Sequence, residues 1–274
     1  IAKSGNFDLI ITSEVFSLNS LKLALCTPKN LIVWQELGKH NRIFHGLASK
    51  FWYGIVAKIG FKKALIVARS VQAREFISKY CKNVSDTIID HGVNIEKFTP
   101  CREKDNQFAI SSQLISRKHI EKSIEAFAKY LNKYDDSAKL YIMGDGDEKE
   151  NLRKLAKDLG ADKNIIFTGK LGHNELIEIL KKSIAMLVYT EKDNNMVSIV
   201  ESIALATPVI TTDIPYNASY IKAEKLGIVN NNWNEDDLRK LATSDEYINN
   251  CINYRKYLPT EYKAEQFLKV KGLI

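Results

Sequence analysis

Short, almost wholly apolar runs recur along the chain, and each is separated from the next by a stretch with helical periodicity. Residues 7–12, 30–34, 64–68 and 86–90 are predicted strands, with helices over 14–26, 43–60 and 70–81 between them. A strand that shows no polar alternation is apolar on both faces, so it belongs in a parallel sheet covered by helices on each side. The alternation restarts with strands at 108–111, 138–143, 164–168, 185–189 and 208–211, and helices at 118–132, 148–159, 174–182 and 197–206. The fold class is therefore α/β, with two doubly wound parallel-sheet units.

Between the two series, the run from Phe98 to Gln107 contains Pro100 and is otherwise polar, the composition of a linker. Residues 1–100 then form a first unit, 101–250 a second, and 251–274 a C-terminal helical segment. Two such units imply a cleft between them, with ligands at the carboxyl ends of the strands. The first unit shows about four strands, fewer than the second, and reads as incomplete. With Ile1 rather than Met at the start and no targeting signal visible, a piece is expected upstream.

The 274 residues carry 40 Lys and Arg against 33 Asp and Glu, a net charge of +7. All of the excess lies in residues 1–100, which hold 14 basic and 7 acidic side chains. Residues 39–82 alone carry ten Lys and Arg and one acid, Glu75. An anionic membrane surface, a nucleic acid, an acidic substrate or simply solvent would satisfy such a segment. Lys58, Lys62 and Lys63 interrupt the most apolar stretch, 51–68, so no segment is apolar enough to span a bilayer. Cys26, Cys81, Cys101 and Cys251 are far apart without a C-x-x-C pair, which argues against a zinc site or a disulfide framework and for a reducing compartment.

Three segments carry chemistry. Gly144-Asp145-Gly146-Asp147 joins a strand to a helix; its glycines allow a backbone to approach a phosphate, its aspartates form a D-x-D pair for a divalent metal, and a tight turn alone also explains it. Asp193 lies in a polar loop and Glu201 eight residues on, in the next helix. Residues 194–197 then form a helix start whose unpaired amides favour a diphosphate, while the two carboxylates suit sugar hydroxyls or, more plainly, a helix cap and a solvated face. Arg117 and Lys118 sit where a helix begins, against its dipole, so an anionic ligand is a reasonable explanation for them.

In order, 66–76, His91 to Pro100, Ser112-Gln113-Leu114 with Lys118, Ile142 to Gly146, Ile166 to Gly169, and Asp193 with Glu201 and Thr207 to Ile210 resemble the signature series of the retaining GT-B glycosyltransferases, the "group one" family. The resemblance covers residues from about 64 to 244 and implies two Rossmann-like domains, an acceptor-side N-terminal one and a donor-binding C-terminal one, with the last helix crossing back. About the first 80 residues of a complete acceptor domain, with its glycine-rich loop, are then absent.

The resemblance also implies roles. Asp193, Lys118 and Glu201 are the catalytic candidates, with Asp193 near donor-sugar hydroxyls and Glu201 on the ribose. Gln113 and Lys118 stand where the family binds phosphate with Arg and Lys, so Gln113 removes one charge. Asn194, Asn195, Met196 and Val197 would hold the diphosphate, Gly169, Lys170 and Leu171 the base, and Gly144 completes the donor set. Gln35 and Glu36 stand where the family histidine is expected, and none of the five histidines receives a catalytic role; His91 and His119 follow strand ends, lining the cleft or capping.

The implied reaction moves a sugar from a nucleoside diphosphate donor to a glycan or lipid-linked acceptor hydroxyl with retention, in cell-surface polysaccharide or glycolipid synthesis. No cofactor or metal is required, no nucleic acid is bound, and the location is cytoplasmic or peripheral at the inner membrane face. Phe44, Phe51, Trp52, Tyr53 and Ile55, interleaved with Lys50, Lys58, Lys62 and Lys63, would meet the membrane, or serve as core. The alternatives are a non-catalytic nucleotide-binding module and a metal-dependent nucleotide-sugar enzyme using Asp145 and Asp147.

Overall fold

The computed structural model describes residues 7–38, 46–193 and 195–274. The chain divides into two compact units, one of residues 1–91 with Glu261–Ile274, the other Gly92–Thr260.

The first unit holds a parallel sheet of β1 (Ile10–Ser13), β2 (Leu31–Gln35), β3 (Leu65–Ala68) and β4 (Val84–Ile88), in that spatial order. Successive residues of β2 face opposite sides: Leu31 and Val33 pack with Ala24, Tyr53, Phe76 and Ile77 of the crossover helices, whereas Ile32 packs with Val67, Ile89 and Phe267. All the crossovers therefore lie on one face. The other face is covered by the C-terminal helix Thr260–Lys271, whose Phe267 meets Trp34 edge-on at 5.4 Å between ring centroids. Strand β4 begins two residues earlier than its apolar pattern predicts, because an edge strand tolerates the exposed Asp86 and Thr87.

The second unit has six parallel strands: β5 (Gln107–Ser111), β6 (Lys139–Met143), β7 (Ile165–Gly169), β8 (Ala185–Leu187), β9 (Val209–Thr211) and β10 (Gly227–Val229), in the order β10-β9-β8-β5-β6-β7. Phe108 and Ile110 of β5 face the core built with helix Ile120–Lys133, and Ala109 between them faces the core built with helix Val197–Ala204. Both faces of β5 are buried, which is why the interior of its sequence, Phe108 to Ile110, is apolar. The chain winds outward from β5 to β7, then returns to place β8 on the other side of β5. That reversal opens a crevice at the carboxyl ends of β5 and β8, the switch point where doubly wound sheets bind ligands.

Two expected boundaries move. Residues 92–100 belong to the second unit, because Val93 bonds through its backbone to Leu258 and Thr260 and buries its side chain with Phe98 among Ile248, Cys251 and Leu258. The polar run after Pro100 is tied down rather than a linker: Cys101 N–H donates to Leu205 O, Asp105 N–H to Lys182 O, and Lys104 Nζ to Lys181 O and Thr207 Oγ1. Burial lowers the Lys104 pKa to about 8. Likewise, helix Glu246–Tyr254 stays in the second unit, and only residues from Glu261 join the first.

Candidate active site

Lys118 ends a short 3-10 turn after β5, and Asp193 lies in the loop after β8, so their contact spans the switch point. Lys118 Nζ is 2.6 Å from Asp193 Oδ2, and Arg117 Nη1 is 2.8 Å from Oδ1. The Thr190 hydroxyl also donates to Oδ2. Burial alone would raise the Asp193 pKa, but the bonds from Lys118, Thr190 and Arg117 outweigh it and hold the carboxyl below its usual range. The Lys118 and Asp193 side chains are 11% and 14% exposed, whereas Arg117 is 41% exposed. His119, in the left-handed conformation (φ 41°), faces Glu121 through Nδ1 and Glu191 through Nε2, and these carboxylates raise its pKa against a loss from burial.

Glu201 projects from helix Val197–Ala204, whose Ile199, Val200 and Ile203 are fully buried. Its Oε1 lies 3.0 Å from Nε2 of His173, at the start of helix His173–Lys182. The two candidate carboxylates thus have separate basic partners. At the start of the Glu201 helix, the Met196 N–H is already taken, donating to Asn217 Oδ1 at 2.7 Å. The Met196 amide is thus committed to Asn217; Val197 follows as an exposed first-turn residue and Asn195 is half-buried. Asn194 lies outside the described residues.

The glycine pair after β6 has a structural use. A Cβ on Gly144 (φ 150°) would come 1.8 Å from the carbonyl oxygen of Ser112, and one on Gly146 (φ 157°) 2.3 Å from that of Leu114. The close approach that the glycines permit is made to the 112–114 backbone. Leu114 N–H donates to Asp145 O, and Glu148 N–H to Leu114 O, so this packing braces the loop that carries Lys118. Asp145 accepts from Gly146 N–H and Lys149 Nζ, both of which lower its pKa, Lys149 the more. Asp145 and Asp147 are exposed, and among the described residues no three His, Cys, Asp or Glu side chains cluster as metal ligands.

Gln113 is exposed on the same loop as Lys118. Gly169 ends β7 with φ 72° and its carbonyl accepts from Gly144 N–H; Lys170 is exposed, and Leu171 packs against the second core. Three participants escaped the sequence reading. Thr190 precedes Asp193 by three residues, a local spacing that signals it; His173 and Asn217 are distant in sequence from the groups they hold.

In the first unit, Gln35 is fully buried and serves the backbone, accepting from Val15 N–H and donating to Leu37 O. Glu36 pairs with Arg69, whose guanidinium lies 3.6 Å from the Trp34 ring centroid. His91 meets Trp34 edge-on at 5.7 Å, and burial lowers its pKa.

Residues 94–256, more than half of the chain, match the family model described as glycosyl transferases group 1. The alpha-monoglucosyldiacylglycerol synthase of Streptococcus pneumoniae is 25% identical over 83% of this chain and 56% of its own length. The O-antigen chain mannosyltransferase RfbU of Salmonella typhimurium is 28% identical over 61% of this chain and 47% of its own. Among solved structures, HepE of Anabaena in complex with UDP superposes with a TM-score of 0.72 at 13% identity, over 98% of this chain and 79% of HepE. TarM superposes at 0.70 with 18% identity, over 96% of this chain and 54% of TarM. The chain spans about half or less of the curated relatives it matches, and its two parallel-sheet units are those of the GT-B fold. The protein belongs to the group 1 glycosyltransferases.

Proposed function

We propose that the chain is the donor-binding part, with some of the acceptor side, of a retaining glycosyltransferase that moves a sugar from a nucleoside diphosphate to an acceptor hydroxyl in polysaccharide or glycolipid synthesis. The observation that carries this reading is the Lys118–Asp193 pair across the switch point: a buried ammonium beside a carboxylate suits a diphosphate next to a hydroxyl-rich sugar. Lys118 and the first-turn amides from Val197 stabilise charge on the departing diphosphate, so no metal is required. Glu201 takes the ribose hydroxyls, and Gly169, Lys170 and Leu171 lie against the base. Retention follows from attack on the face that the leaving phosphate vacates, with Asp193 orienting the sugar. The names of the pneumococcal and Salmonella relatives, and the UDP held by HepE, support the reaction class.

The acceptor then lies at an anionic membrane surface on the cytoplasmic side. Among the described residues no helix is long and apolar enough to cross a membrane. The helical stretch 46–60 nevertheless exposes Leu47, Phe51, Ile55 and Ile59 at four-residue spacing, beside the exposed Lys50, Lys58 and Lys62. Tyr53, by contrast, is fully buried and Trp52 partly so; Phe44 lies outside the described residues. Leu47 and Ile59 thus replace the two aromatics in the candidate surface.

Calorimetric titration with UDP, GDP and ADP, with and without EDTA, tests the donor site. The expected result is chelator-insensitive binding of one nucleotide, weakened at least tenfold, about 1.4 kcal/mol, by Lys118→Ala and by Glu201→Ala. Binding abolished by EDTA would instead favour metal-dependent chemistry. Binding without turnover in the full-length protein would favour a non-catalytic module.

A further inference from the structure

Three basic residues in succession, Arg117, Lys118 and His119, precede helix Ile120–Lys133, where the helix dipole disfavours positive charge. Carboxylates meet all three: His119 faces Glu121 and Glu191, whereas Arg117 and Lys118 share Asp193, one on each oxygen. The Asp193 arrangement is under-neutralised, with two positive charges on one negative. Its geometry is that of an anion clasped by a fork and a point charge, and the carboxylate stands where a phosphate oxygen pair would fit. Lys118 is nearly buried, while the Arg117 side chain remains 41% exposed and within reach of a ligand. Gln113, the other long polar side chain of this loop, contributes no charge.

We propose that Arg117 is the second cation of the diphosphate site, and that Asp193 holds the Arg117–Lys118 pair in the empty site until the diphosphate of the donor displaces it. This rests on the donor site proposed above. The exchange couples two events: the cations pass to the diphosphate, and the released Asp193 carboxylate, still accepting from the Thr190 hydroxyl, becomes available to sugar hydroxyls. Asp193 therefore competes with the nucleotide moiety and recognises the sugar moiety, and its removal must act on the two with opposite sign.

The test is calorimetric binding of the nucleoside diphosphate found in the titration above, and of inorganic diphosphate, to wild type, Arg117→Gln, Asp193→Asn and the double variant. Arg117→Gln is expected to weaken both ligands about tenfold, and Asp193→Asn to tighten both threefold or more while reducing turnover of the sugar nucleotide by the full-length protein. In the double variant the gain from Asp193→Asn shrinks, because half of the competition has gone. Thermal melts confirm folding; Arg117→Gln, at a partly exposed position, keeps the test usable if Asp193→Asn unfolds. Unchanged binding by Arg117→Gln, or unchanged or weaker binding by folded Asp193→Asn, overturns the inference and leaves the donor site standing. Wild type that binds none of these ligands overturns both.

Discussion

Asp90, two residues past β4, and Lys263, in the C-terminal helix, are 173 positions apart and form a buried ion pair, 9% and 10% exposed. The pair fastens the end of the chain to the first unit, beside the Trp34–Phe267 contact that covers the otherwise open face of the sheet. A charge left here without its partner has little water to turn to. Lys263→Met is therefore expected to lower the stability of the first unit by about 3 kcal/mol or more, and Asp90→Asn combined with Lys263→Met to recover part of the loss. Denaturant melts followed by tryptophan fluorescence, to which Trp34 and Trp52 of the first unit contribute, check both; a single variant as stable as wild type would show that the pair is ornamental.

The bonds to Asp193 make stability depend on acid in a definite direction. Its folded pKa lies below the ordinary aspartate range, so it contributes stability that is present above the unfolded pKa and lost as the pH falls through the folded one. Wild type should lose more stability than Asp193→Asn between about pH 4 and the lower limit of the melts. Parallel acid titrations of the two proteins would refute the assignment of this loss to Asp193.

The glycines after β6 give a contrast of signs. Gly144→Ala and Gly146→Ala would drive a methyl into the 112–114 backbone and are expected to cost about 2–4 kcal/mol each, with loss of nucleotide binding as the Lys118 loop shifts. Gly54, in a helical segment with nothing within 4 Å of a Cβ, should accept Ala with a gain of about 0.5–1 kcal/mol. Melting curves of the three variants decide the matter, and a Gly144→Ala protein of wild-type stability would contradict the packing argument.

The strands were legible because both faces of each sheet are covered: Phe108, Ala109 and Ile110 feed two different cores, and so form an unbroken apolar run. The compact units divide at residue 91 rather than at 100 for the converse reason. Residues 101–106 have the composition of a linker, yet Lys104 is drawn in by Lys181 O and Thr207 Oγ1, acceptors about 77 and 103 residues away that no local pattern reveals. At the candidate site, the positions of Lys118 after β5, Asp193 after β8 and Glu201 on the following helix could be read from local pattern. What could not be read is which groups meet: Arg117 joining Lys118 on Asp193, His173 reaching Glu201, and Asn217 consuming the Met196 amide all depend on how separate crossovers come together.

The exposed stripe on 46–60 leads to the last expectation. Leu47, Phe51, Ile55 and Ile59 are 83%, 60%, 52% and 69% exposed, although Tyr53 and Ala57 of the same stretch are fully buried. The helical segment therefore spends one face on the core and keeps a second apolar face outward, and lysines border that outward face. A surface of this kind partitions into an interface by combining apolar burial with attraction to anionic lipid, each basic residue adding about 1 kcal/mol near the surface. The protein should co-sediment with vesicles containing phosphatidylglycerol and bind pure phosphatidylcholine vesicles at least tenfold more weakly. Phe51→Ser with Ile55→Ser should weaken binding to the anionic vesicles with little change in salt dependence, whereas Lys58→Gln with Lys62→Gln should weaken it and flatten that dependence. Equal binding to both vesicle types would remove the electrostatic half of the argument, and retention by the Ser variant would remove the apolar half.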